Sequence, residues 1–165
     1  MGLAFSDKRV LITAEFGHNS RIQDLSNGSH SISNSVKQKK KLNYQAKPTF
    51  FSETEYIYTK SILDYQIFKG KKHMENNVLN LYSYNEETKK EVELARFNST
   101  NTNSVTPFYW KEERILFYAY SLAEEENYDI YYSHYNEGNW SKPTKLNKIN
   151  SQFNEIYPFV YNGML

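Results

Sequence analysis

The sequence predicts an all-β chain assembled from repeated antiparallel sheets. Three observations lead there. One segment recurs along the chain, each copy alternates aromatic with polar residues at period 2, and short charged or Asn-Gly turns separate the alternating runs. Alternation at period 2 sets one face of a strand against a core and the other toward a wetter surface. Four such strands fill about 40 to 50 residues in one blade of a β-propeller. The copies open at residues 2, 48, 107 and 158. The expected architecture is therefore a partial β-propeller: about three four-stranded antiparallel blades and the first strand of a fourth.

The second and third copies carry the repeat best. PTFFSETEYIYTKS, from Pro48, aligns without a gap on PFYWKEERILFYAY, from Pro107. Phe50 then meets Tyr109, Phe51 meets Trp110, and Tyr56-Ile57-Tyr58 meets Ile115-Leu116-Phe117. A first copy, GLAFSDKRVLITAE, puts Gly2 where the prolines stand, Phe5 on Phe51, Val10-Leu11-Ile12 on Tyr56-Ile57-Tyr58 and Thr13 on Thr59. Each copy reads as a hairpin, two strands around a tight polar turn. The back halves continue the alternation. Asn77 to Phe97 turns through Glu86 to Lys89, and Tyr128 to Leu146 turns through Asn136 to Asn139.

The first back half is less regular. Arg21 to Leu25 is a candidate strand. Residues 26–45 are polar, include Lys37, Lys39, Lys40 and Lys41, and read as a solvated insertion. The units are thus about 2–47, 48–106, 107–157 and an opening at 158–165, within one domain of residues 1–165. The last apolar strand breaks off after Asn162-Gly163, so a fragment of a larger propeller is expected. A small open β domain with stacked, unclosed sheets is the other reading. Functional loops are expected at Phe16–Asn19, Leu63–Asn76 and Leu122–Asn127, between the second and third strands of each unit.

Composition excludes several classes. Twenty basic against nineteen acidic residues, net +1, gives no basic surface for nucleic acid. The chain has no Cys, so disulfides and thiolate chemistry are out. No apolar run approaches the roughly 18 residues of a membrane helix. No signal peptide is visible at the N-terminus. His18, His30, His73 and His134 show no metal spacing. Glu124-Glu125-Glu126 lacks the alternating Asp/Asn and central Gly of a calcium loop. No nucleophile elbow, Walker loop or dinucleotide fingerprint occurs. No metal and no cofactor are expected.

Asp64, Asp129 and Glu155 are the acids to consider for glycosidase chemistry near a propeller channel. Structural roles compete with that. Glu155 is expected to fix the step between blades by accepting hydrogen bonds from the incoming strand, and Asp129 to orient a turn or neighbouring strand. Trp110 and Trp140 fall at blade-core positions. Asn27-Gly28-Ser29, Asn98-Ser99-Thr100 and Asn139-Trp140-Ser141 are formal glycosylation sequons, read as coincidental.

The run YDIYYS…GNWSKPTKLNKINSQFNEIYPF resembles the WD-like β-propeller repeat of bacterial envelope proteins, in the style of OmpA-type peptidoglycan-associated propellers. The matching elements are Asp129-Ile130-Tyr131, Gly138 with Trp140-Ser141 and Pro143, Asn150-Ser151, and Glu155 with Pro158. NLYSYNEETKKEVEL looks more like a TolB-like propeller. The first unit lacks the Trp-Ser-x-Pro strand and the Glu-x-x-Pro entry, so its membership rests on the front hairpin. The resemblance implies a non-catalytic binding or scaffold module, periplasmic or outer-membrane-associated. Its implied partners are a protein or peptidoglycan/glycan, held through blade loops, and the remaining blades of a longer parent chain. It implies structural roles for Pro48, Pro107, Trp110, Asp129, Tyr131, Trp140, Pro143, Glu155 and Pro158, and no catalytic residue. A propeller hydrolase, glycosidase or peptidase-associated, is the alternative.

Overall fold

The computed structural model describes residues 2–6, 8–16, 19–26, 43–62, 64–68, 71–75, 78–99, 101–122, 125 and 127–165. Most of the expected insertion, with its lysine cluster, lies outside the described residues, as do His18 and His30. All strand pairings are antiparallel, and no helix occurs among the described residues.

Strands β1 (Leu3–Phe5), β2 (Val10–Phe16) and β3 (Asn19–Asp24) form a three-stranded sheet. Strands β4 (Asn43–Phe50), β5 (Glu55–Ile62), β8 (Leu79–Asn85) and β9 (Lys90–Glu93) form a four-stranded one. The third sheet orders β10 (Thr102–Trp110), β11 (Ile115–Leu122), β12 (Asp129–Asn136) and β13 (Asn139–Trp140), with β14 (Thr144–Lys145) also on β12. The segment expected as the loop Leu63–Asn76 instead carries a separate two-stranded sheet, β6 (Asp64–Phe68) with β7 (Lys71–Glu75). Its alternation spans only five residues per strand, too short to stand out from the polar sequence around it.

Hydrogen-bond register corrects the ungapped alignment. The hairpin turns close between Ser6 and Arg9 in the first unit, Phe51 and Glu55 in the second, and Trp110 and Ile115 in the third. Each turn is one residue longer than the last. Ala4↔Leu11, Thr49↔Ile57 and Phe108↔Phe117 are therefore equivalent pairs. Leu3, not Gly2, stands where the prolines stand, and Ile57 matches Phe117 rather than Leu116.

The core sits between sheets. Ala4, Leu11 and Ile22 of the first unit pack with Tyr56, Tyr58 and Tyr84 of the second. The opposite face of the second, Ile57 and Leu81, packs with Tyr109, Leu116 and Tyr118 of the third. Both faces of the second sheet are thus covered, which explains why Tyr56 to Ser61 is buried without a break instead of alternating. A third cluster, Val105, Phe117, Ala119 and Ile130, lies on the far side of the third sheet with Val160 against it.

Two charged clusters between the first two sheets are paired. Arg9 bonds Asp24 through Nε and Nη2, Glu86 through Nη1 and Nη2, and the Glu53 carbonyl. Lys60, 1% exposed, pairs with Glu91, which also accepts from the Tyr58 hydroxyl. A lone buried ammonium would be costly, and this carboxylate offsets part of that cost. Burial, then the adjacent Glu91 charge, pushes the Tyr58 phenol far above its ordinary range.

Candidate functional site

The opening segments of the units share an unusual backbone. Lys47 (φ 55°), Thr106 (φ 51°) and Tyr157 (φ 63°) are left-handed, and each precedes a proline: Pro48, Pro107 and Pro158. Residues before proline ordinarily stay extended, and a β-branched residue such as Thr106 is rarely left-handed. Each such residue costs roughly 1–3 kcal/mol unless its surroundings hold it.

Here threonine hydroxyls do the holding. The Lys47 N–H donates to Thr13 Oγ1 at 3.1 Å, and the Thr106 N–H to Thr59 Oγ1 at 3.0 Å, the same position one unit on. The third unit has Ala119 there, so the Tyr157 N–H reaches Thr106 Oγ1 instead, at 3.3 Å. Register pairing skips a residue beside both Lys47 and Thr106, between Ala46 and Thr49 and between Val105 and Phe108. In the first unit Gly2 takes this position. A Cβ there would lie 2.8 Å from the Lys47 Cα, so only glycine fits that approach.

These segments line a groove of about 930 Å³. Its lining includes Lys47, Pro48, Thr106, Pro107, Tyr157 and Pro158. The Lys47 ammonium sits 4.3 Å from the centre of the Tyr157 ring. Exposed Phe5, Phe159 and Tyr161 stand on its walls, and Trp110 also borders it. Phe159 is steadied edge-on by Phe108 at 5.2 Å. Ser6, Glu53, Lys111 and Glu112 add polar groups of both signs. Such a surface offers aromatic contact with polar anchors on either side.

Four residues singled out by sequence, Pro48, Pro107, Trp110 and Pro158, therefore meet in the groove. The others sit elsewhere. Trp140 lies between the second and third sheets, half-buried, with ring centres of Tyr135, Phe97, Phe51 and Tyr109 at 4.8, 5.5, 5.8 and 6.0 Å. Tyr131 packs against Tyr120 with ring centres 4.9 Å apart and planes tilted by 51°, its phenol raised by burial. Pro143 is half-buried between β13 and β14. Asp129 accepts from Lys145 Nζ at 2.7 Å, across to β14. His134 is exposed on β12. The side chains of Asp64 and His73 lie outside the described residues.

Glu155 differs in its partners from expectation. Its carboxylate accepts from the Ser151 hydroxyl (2.5 Å) and N–H (3.1 Å), in its own connector and not from an incoming strand. Those bonds hold it below the usual carboxylate range. Asp129 and Glu155 lie off the groove, whose own acids are Glu53 and Glu112.

Two asparagine clamps hold strands, and neither has a counterpart among the structural roles expected from sequence. Asn150 accepts from the Ile130 N–H and donates to the Ile130 carbonyl, at 2.8 and 2.9 Å. Asn98 does the same to Leu81, both at 2.9 Å. One side chain thereby stands in for a strand neighbour at the third strand of the second sheet and of the third. The signal that marks the match in the sequence is the shared dipeptide, Asn98-Ser99 against Asn150-Ser151.

Among the described residues no group of three His, Asp or Glu is placed to hold a metal ion, and no helix is long and apolar enough to cross a membrane. No family model matches the chain, and no curated protein matches it. Among solved structures the chain is similar to the crystal structure of TolB from Acinetobacter baumannii, with a TM-score of 0.50 and 14% identity. The match covers 86% of this chain and 31% of that one, so the chain spans about a third of the length of its structural relative. At that identity the likeness is one of fold: at a coarse level, the antiparallel sheets follow a TolB-like propeller.

Proposed function

We propose that the chain is a non-catalytic binding or scaffold module. It comprises about three consecutive blades of a propeller and the opening of a fourth, and works in a bacterial cell envelope. Its partner is a protein segment or a peptidoglycan strand, held at one end of the blades. The observation that carries this reading is the groove. Opening segments from successive units converge there, presenting Phe5, Phe159 and Tyr161 beside Ser6, Glu53 and Lys111. Aromatic faces with flanking polar groups suit a stretched ligand whose rings or side chains stack while its polar edges are bonded. The setting in the envelope is what the resemblance of Asp129 to Pro158 to envelope repeats implies.

Trp110 borders the groove, so its fluorescence reports binding once Trp140 is replaced by Phe. Titrating the Trp140→Phe protein with soluble muropeptides should give a saturable change, with Kd of about 10 μM to 1 mM. Phe159→Ala should weaken it about tenfold. Saturation by an unstructured peptide and not by muropeptides assigns the groove to protein segments. No saturable change with either ligand overturns the reading.

A further inference from the structure

We draw no further inference here: the strongest candidate, the two-stranded sheet of β6 and β7 that follows the second strand of the second unit and joins no other sheet among the described residues, carries nothing because nothing in the structure shows what covers it.

Discussion

Replacing Thr59 by Val removes one hydroxyl and keeps the shape of the side chain. Thr59 is 2% exposed, and its Oγ1 accepts the Thr106 N–H at 3.0 Å. Thr106 is itself buried, so no water replaces the lost acceptor. An unsatisfied buried N–H costs about 1–3 kcal/mol. The same bond holds a β-branched residue in the left-handed region, and relaxing that backbone would recover part of the loss. A net cost of about 2 kcal/mol follows. With a urea m-value of about 2 kcal/mol/M, the midpoint falls by about 1 M. Fluorescence of Trp110 and Trp140, both in the third unit, reports the transition. Thr59→Ser keeps the hydroxyl and should cost about 1 kcal/mol, for one methyl. A Val variant within about 0.5 kcal/mol of the parent, or less harmful than Ser, would refute the hydroxyl's role.

Trp140→Ala should cost about 2–4 kcal/mol by the same assay, below the 3–5 of a fully buried aromatic because the residue is partly exposed; a loss under about 1 kcal/mol would mean the four surrounding rings do not pack on it. Asn150→Ala removes both bonds to Ile130 and should cost about 1–3 kcal/mol, with Asn98→Ala giving a similar loss at Leu81. Acid should destabilise the protein. For Asp24, burial raises the carboxyl, but bonds from Ser26 and Arg9 outweigh it and set the group below its ordinary value; Glu155 is lowered by Ser151. Lowered carboxyls contribute fully above their unfolded values, near pH 4, and the contribution is lost as pH falls through the native ones. Alkali acts with the opposite sign. Burial, with Glu93 and Glu91, pushes the Tyr82 phenol up to about 12, so its contribution is complete below about pH 10 and is lost as pH rises toward 12. A melting temperature that rises from pH 5 to 3, or from pH 9 to 11, would contradict these assignments.

How much of this was legible depended on which residues have only one use. Pro48, Pro107 and Pro158 fix their own φ and so stand out in the sequence, but β4 and β10 begin earlier, at Asn43 and Thr102, so Pro48 and Pro107 mark a bulge inside each first strand and not its start. The left-handed residues before them were not legible, because Lys, Thr and Tyr carry no preference for that conformation. Thr13 and Thr59 were seen to correspond, but their role needs the neighbouring unit in place. Turn lengths were hidden by the aromatic-rich strands. A one-residue slip between Leu116 and Phe117 still matches apolar with apolar, though it moves every side chain to the other face. Asn98 shows the same difficulty for polar residues, since a clamp across seventeen residues to Leu81 leaves no local pattern. The groove draws on four separated segments, of which sequence supplied the anchors Pro48, Pro107, Trp110 and Pro158 but not the walls.

Equivalence of the unit openings is most directly tested by the backbone at Lys47, Thr106 and Tyr157. Residue-specific NMR couplings and chemical shifts report φ at each. Values near +55°, +51° and +63° are predicted, with slow amide exchange at Thr106. Extended φ at any two of the three would contradict the shared geometry on which the propeller reading rests.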